Sequence, residues 1–477
     1  MRLLICVLLI ASRGQAQATW NGTASMQGRF QITTPNLVSS TYFGIHVNKT
    51  PGSPWPTINP GGSFRTLNAT STSGGIGWAN IESSANNTAS CPTLGSHTYD
   101  WRSADAVLGA ARAAGQEIVY TLASTPQCFA TVRNDPKCTI FSGSCDAPND
   151  INSDGTGTDA NLIAFISALI ARYPYIKYFE IWNESNIAGE WQGTYQQLVR
   201  MGQDIGAIVH PYGAKVLSAN YTGMLTGAAK RLSTFLMTSA NGVTGSQVSD
   251  IISIHTYIHV QTDPKQPIPE NMPIVMAKAR AVLSAADTAK PIWSTEYSWG
   301  DTFADNFNDP MQRSAFLARS YLLLASQNLG RLYWYGWDFN SSDGTSSSSG
   351  GHWDSVNTHS YGCDGQSNPY PPSGYLCEAG IAYQQVYSWL VGNTVSSCSG
   401  PGLPATGVWT CSLAKSDGRK MLAVWTNDPA YACNGTCPTA TYQPDLSYTA
   451  YSTLDGSTYN LVPGMGVEIG ARPVLLQ

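Results

Sequence analysis

The chain has 477 residues, enough for one large barrel and a smaller companion domain. Only 12% of them are charged, against the usual ~25%, and the net charge of −5 excludes the basic face that nucleic acid or an anionic membrane would need. The polar surface comes from Ser, Thr, Asn and Gly. Together with 14 Trp and 24 Tyr it suits a neutral carbohydrate partner, whose hydroxyls hydrogen-bond and whose ring faces lie on aromatic rings.

In chain order, Arg2, the apolar run Leu3 to Ala11 and Ala16-Gln17-Ala18 form a secretion signal over residues 1–18, cleaved after Ala16 or Ala18. That run is too short to span a bilayer, so a soluble, secreted, extracellular protein is expected. Cys6 leaves with the signal, and the ten remaining cysteines suit an oxidising compartment. Close spacing suggests Cys363–Cys377, Cys398–Cys411 and Cys433–Cys437. Cys91, Cys128, Cys138 and Cys145 form a fourth group with three possible pairings. No CxxC pair or His cluster offers metal ligands, so neither a metal nor a cofactor is expected. Glycosylation triplets stand at Asn21, Asn48, Asn68, Asn86, Asn220, Asn340 and Asn434. Asn183-Glu184-Ser185 also matches.

Apolar, β-branched runs then recur between helical patterns. The expected strands are Tyr42–Val47, Ser63–Leu67, Glu117–Leu122, Tyr178–Trp182, Lys215–Ala219, Ile251–His255, Ile292–Thr295 and Arg331–Tyr335. Helices are expected near Ala104–Ala114, Asp159–Tyr173, Tyr195–Val209, Leu225–Ser239, Met272–Ala286, Met311–Gln327 and Ile381–Val391. Eight strands alternating with helices argue for a (β/α)8 TIM barrel, an α/β fold, over residues 36–392. A doubly wound open sheet is the alternative, but no glycine-rich phosphate fingerprint supports it. From Asn393 the pattern changes to short strands, Gly407–Leu413, Lys420–Trp425, Tyr448–Ser452 and Val467–Ile469. Residues 393–477 are therefore expected to form a small C-terminal β-sandwich, with residues 19–35 joining it. Two long loops, Pro126 to Gly157 after the third strand and the Ser/Gly-rich stretch after the eighth, should lie on one face of the barrel.

Two of these strands end in carboxylates. Tyr178-Phe179-Glu180-Ile181-Trp182-Asn183-Glu184 closes on Asn-Glu, and Pro291-Ile292-Trp293-Ser294-Thr295-Glu296 closes on Glu. C-terminal strand ends are where such barrels keep their chemistry. Two carboxylates delivered there are the equipment of glycoside hydrolysis, one protonating the leaving oxygen and one attacking the anomeric carbon. Unrelated surface pairing of both is the bland alternative.

Here the chain resembles clan A retaining glycoside hydrolases, and most of all glycoside hydrolase family 39. The likeness rests on Asn183-Glu184, Glu296, Ser253-Ile254-His255-Thr256-Tyr257, Phe64-Arg65, Trp78 with Glu82, and Tyr333-Trp334-Tyr335-Gly336-Trp337. It extends from about Tyr42 to the C-terminus. The resemblance implies Glu184 as acid/base and Glu296 as nucleophile. It further implies Asn183 on the sugar's 2-hydroxyl, Tyr257 donating to Glu296, Arg65 supporting Glu296, His255 beside the pair and Trp337 under the sugar. His46 joins the substrate-binding set by its position at the end of strand one.

The loop after strand three has no counterpart in that family, so the family's β-xylosidase and α-iduronidase activities do not carry over. The expected function is secreted retaining O-glycoside hydrolysis of a plant or microbial polysaccharide or oligosaccharide, with a neutral sugar at the cleavage point. Trp353, Tyr361, Tyr370 and Tyr375 are possible stacking platforms. A transglycosylase using the same covalent intermediate, or a non-catalytic carbohydrate-binding protein, are the alternatives.

Overall fold

Eight short strands close on themselves as a parallel barrel, with apolar side chains outward under the helices and a mixed interior in which Val119, Leu217, Trp293 and Tyr333 form their own buried cluster beside the polar layers. The computed structural model describes residues 37–46, 62–66, 75–82, 97–139, 142–258, 268–299, 309–335 and 378–477. The strands are β1 (Phe43–His46), β2 (Ser63–Thr66), β3 (Glu117–Thr121), β4 (Tyr178–Glu180), β5 (Lys215–Leu217), β6 (Ile252–His255), β7 (Ile292–Tyr297) and β8 (Arg331–Tyr335). They pair in the order β5-β4-β3-β2-β1-β8-β7-β6. The ring is completed by a parallel bridge from Leu217 to Ile251 and by Ser218 N–H donating to Ile251 O at 2.9 Å.

Phe64, Phe179, Ile254 and Leu332 point outward into the apolar layer under the helices. The intervening residues fill the interior in layers, as barrel interiors of this size must. The lower layer is built on Arg331. Its guanidinium bonds Ser63 Oγ (2.9 Å), Tyr178 Oη (2.9 Å) and Glu117, and stacks 4.0 Å from the Trp293 ring. The upper layer, at the C-terminal strand ends, is built on Arg65 and carries the site.

The outer helices are α1 (Arg102–Ala113), α2 (Ala160–Arg172), α3 (Tyr195–Val209), α4 (Ala229–Met237), α5 (Met272–Arg280), α6 (Pro310–Ser326) and α7 (Glu378–Leu390). Helix α3 has the bounds its sequence implied, and a capping box of Thr194 and Gln197 explains its sharp start. Helix α4 starts later than expected because Gly227, at φ 121°, kinks the preceding turn. Helix α5 stops short of Ala286, where Ser284 and Asp287 bond one another instead of continuing the helix. No described helix is long and apolar enough to cross a membrane.

Beyond α7 the chain forms β9 (Thr394–Ser399), β10 (Val408–Ala414), β11 (Lys420–Thr426), β12 (Ala440–Tyr442), β13 (Ala450–Ser452), β14 (Thr458–Asn460), β15 (Val467–Ile469) and β16 (Val474–Leu476). Six make one sheet, β9-β10-β11-β16-β13-β14, and β12 pairs with β15 in a second. Val424, Leu461, Val467, Ile469, Val474 and Leu476 fill the space between them. This small β-sandwich is tied to the barrel through Glu270, which accepts from Trp425 Nε1 at 2.7 Å and from Arg319 Nε at 2.8 Å. The expected N-terminal contribution from residues 19–35 lies outside the described residues, as do the secretion signal, Trp337, Trp353, Tyr361, Tyr370 and Tyr375. Just after that segment, Leu37 bridges Thr394 and Val38 bridges Val391.

Candidate active site

Arg65 organises the upper layer. Its guanidinium is 0% exposed and is shared between two carboxylates. Nε and NH2 donate to Glu180 Oε2 (3.0 and 2.7 Å), NH1 donates to Glu296 Oε2 (2.8 Å), and NH2 also reaches Asn183 Oδ1 (2.8 Å). Thr121 Oγ1 and Ser253 Oγ satisfy the remaining lone pairs of Glu180. Burial opposes the charge on Glu180, yet Arg65, with hydrogen bonds from Ser253 and Asn220, holds its carboxyl below the ordinary range.

Glu296 faces the barrel mouth only because β7 is bulged. Strict alternation from Ile292 would send it outward. Ile254 pairs with Ser294 and His255 with Glu296, so Thr295 is an extra residue that turns Glu296 inward and Tyr297 out toward Trp334. Its second oxygen, Oε1, accepts from Tyr257 Oη at 3.1 Å. His46 Nδ1 lies 3.8 Å from Oε2. Burial pushes the Glu296 carboxyl above its usual range and the charge of Glu184 adds to this, while Arg65 pulls it down.

Glu184 sits past the end of β4 at φ 36°, a left-handed conformation costly for a non-glycine residue. Asn220 holds it there, its Oδ1 accepting the Glu184 N–H at 2.6 Å. Asn220 is fully buried, so the Asn220 triplet takes no glycan. The Glu184 carboxylate meets His255 Nδ1 at 2.8 Å. Burial lowers His255 to about 4, so the ring is neutral at neutral pH.

One oxygen of Glu184, one of Glu296 and one nitrogen of His255 thus lie within 4.8 Å of one another. That spacing could also suit a cation, but Arg65 already places a full positive charge 2.8 Å from Glu296. Among the described residues the other close group, Cys138, Cys145 and Asp146, offers no thiolate because the two cysteines are disulfide-bonded.

The structure therefore brings Glu184, Glu296, Asn183, Arg65, His255, Tyr257 and His46 together. Arg65, His255 and His46 are each 0% exposed, and they lie against Glu296, Glu184 and Glu296 respectively. Sequence reading missed Glu180, whose signal was a charged residue facing into a buried strand, and Glu190. Burial and then the Glu184 charge raise the Glu190 carboxyl, which also interacts with Asn183.

Glu190 accepts from Thr139 Oγ1 at 2.9 Å, and Gln192 N–H donates to Cys145 O at 2.9 Å. The loop after β3 is thereby seated beside Glu184. Of the four cysteines left open by spacing, Cys138 pairs with Cys145. Cys128 is disulfide-bonded as well. Cys398–Cys411 and Cys433–Cys437 pair as their spacing suggested, whereas Cys363–Cys377 lies outside. Replacing Cys138 and Cys145 together by Ser is expected to lower stability by roughly 2 kcal/mol, from the closure entropy of so short a loop. A denaturant midpoint measured against wild type checks this.

No family model matches the chain, and no curated protein matches it. Among solved structures it is similar to a glycoside hydrolase family 30 subfamily 8 xylanase from Clostridium acetobutylicum (14% identity, 91% of this chain and 94% of that one, TM-score 0.52). It is also similar to a family 39 β-xylosidase from Caulobacter crescentus (14%, 93% and 97%, 0.52) and to the catalytic domain of family 30 xylanase C from Talaromyces cellulolyticus (16%, 94% and 98%, 0.52). Likeness at these identities establishes a shared fold: this chain folds as clan A glycoside hydrolases do, with the barrel and the companion β-sandwich in common.

Proposed function

We propose that the protein is a secreted, retaining O-glycosidase acting on a polysaccharide or oligosaccharide. The observation that carries the reading is the approach of Glu184 and Glu296 oxygens to within 4.8 Å. Retaining enzymes hold their carboxyls ~5–5.5 Å apart, and nearest oxygens this close are compatible with that separation.

Glu296 attacks the anomeric carbon as Glu184 gives its proton to the departing oxygen, so the glycosidic bond breaks while a glycosyl–Glu296 ester forms. Water then enters, Glu184 takes its proton, and the ester is cleaved with the original configuration restored. Arg65 and Tyr257 hold one oxygen each of Glu296, which keeps the nucleophile ionised and fixed. His255 serves Glu184 in both steps. Its Nε2 has no partner among the described residues, so the neutral ring can present either a lone pair to the acid or an N–H to the carboxylate. Asn183, with its Oδ1 tied to Arg65, is the residue proposed to meet the 2-hydroxyl.

The acid limb of kcat/KM should reflect protonation of Glu296. Activity is present above its folded-state pKa and falls as pH drops through it. Because that pKa is raised, the limb is expected above the ordinary Glu value of ~4.3. His255, neutral above about pH 4, contributes no limb near neutrality. A pH–rate profile on an aryl glycoside reads both statements. The reading itself is tested by NMR of the first sugar released from a panel of aryl glycosides: retained configuration supports it, and inverted configuration or inertness on the whole panel overturns it.

A further inference from the structure

Glu180 is 0% exposed, so no sugar reaches it, yet hydrogen bonds tie it to the nucleophile by two routes. The first runs through Arg65. Nε and NH2 of the guanidinium donate to Glu180 Oε2 at 3.0 and 2.7 Å, while NH1 donates to Glu296 Oε2 at 2.8 Å. The second runs through Ser253, whose Oγ donates to Glu180 Oε1 and lies 2.8 Å from Thr295 Oγ1. A hydroxyl has one proton to give, so Thr295 is the donor in that second contact. Thr295 is the extra residue of the β7 bulge that turns Glu296 inward. Both hydroxyl residues are 0% exposed. The nucleophile is thus held at its carboxylate by Arg65 and at its backbone by Thr295, and both ties end on Glu180.

Charge follows the same path. Were Glu296 the sole partner of Arg65, the two would form a neutral buried pair, and the attacking oxygen would be held as the counter-ion of a guanidinium. With its carboxyl kept below the ordinary range against the effect of burial, Glu180 is ionised and offsets the charge of Arg65. The surplus negative charge then belongs to Glu296. Filling the core does not require this arrangement, since apolar residues of similar volume replace many buried ion pairs without loss of stability.

We propose that Glu180 is a positioning residue for the nucleophile: through Arg65 it limits the positive charge that Glu296 meets, and through Ser253 and Thr295 it fixes the bulge that turns Glu296 into the cleft. The proposal rests on the reading of Glu296 as the nucleophile. Glu296 is faced by His46 from β1, Arg65 from β2, Glu184 from beyond β4, and His255 and Tyr257 from the β6 side. Glu180→Gln leaves all five in place and removes one charge. Arg65 then acts on Glu296 alone, so the folded-state pKa of Glu296 falls, and activity, which is present above that pKa, persists to lower pH.

The first test is the pH profile of Glu180→Gln on an aryl glycoside that the wild type cleaves. The acid limb of kcat/KM should move to lower pH while the plateau rate falls, because Glu296 has become a weaker base. A residue that only fills the core would lower rate or stability and leave the limb where it is. Carbon-13 NMR of protein labelled at the glutamate carboxyls, with the Glu296 signal assigned by its loss in Glu296→Gln, reads the same titration without turnover. Thr295→Val and Ser253→Ala touch no charge and keep the proposal testable should Glu180→Gln not fold. Each should lower kcat by ~10–10²-fold, the cost of a misplaced reacting group, with KM and the acid limb unchanged. The double variant should lose no more than either single one, because both cut the same tie, and Thr295→Ser should keep most of the rate. An unmoved Glu296 titration in Glu180→Gln, or a wild-type kcat in Thr295→Val, would overturn the proposal. Inertness of the wild type on every glycoside would sink the hydrolase reading instead, and the carbon-13 titration would still decide whether Glu180 governs Glu296.

Discussion

Glu296→Ala is expected to remove hydrolysis while leaving the fold intact, and added azide should then restore turnover on an activated aryl glycoside. Azide enters from the face that Glu296 vacates, so the glycosyl azide formed has inverted configuration. Glu184→Ala behaves differently. Its glycosyl–Glu296 ester still forms when the leaving group needs no proton, azide attacks that ester, and the product is retained. Loss of an acid/base group costs ~10²–10⁴-fold, and Glu184→Gln should fall in that range on a substrate with a poor leaving group. Glu296→Gln should lose more, since it removes the bond-forming atom. Near-wild-type rates in either Gln variant would contradict the two roles.

Arg65→Met should be the most damaging substitution away from the reacting atoms. It leaves Glu180 and Glu296 as buried carboxylates without their shared cation, and breaking a buried pair by removing one partner costs ~3–5 kcal/mol. It also removes what pulls the Glu296 carboxyl down, so in whatever protein folds the acid limb should move to higher pH. Arg65→Lys keeps the charge but not the fork that reaches Glu180, Glu296 and Asn183 together. It should therefore recover much of the stability and less of kcat. Denaturant midpoints and pH profiles of both variants separate the two effects. Equal stability of Arg65→Met and wild type would mean that the carboxylates are neutral.

Much of this site was legible because barrel strands declare themselves by apolar runs, and a carboxylate at the end of such a run has few structural uses. Glu184 and Glu296 were both visible on that ground. What the sequence did not show was how Glu296 turns inward, since period-two alternation alone places it outward and the bulge at Thr295 is a tertiary compromise between β6 and β8. Glu180 was in plain view in the same run as Glu184, but its partner Arg65 is 115 residues away, and no local pattern joins them. Asn220 read as a glycosylation triplet because the motif is local, whereas its burial behind Glu184 is not. Cysteine spacing paired the short loops of the β-sandwich and left the fourth group open, because spacing carries no information on which loops the barrel brings together.

The most direct test of the account is to trap the intermediate. A 2-deoxy-2-fluoro glycoside with a good leaving group, built on whichever sugar the enzyme releases, should inactivate the protein and add one sugar mass. Peptide mapping should place that sugar on Glu296, and Glu296→Gln should take up none. Continued turnover without a covalent adduct, or an adduct on any other residue, would contradict the assignment of Glu296 as the nucleophile of a double displacement.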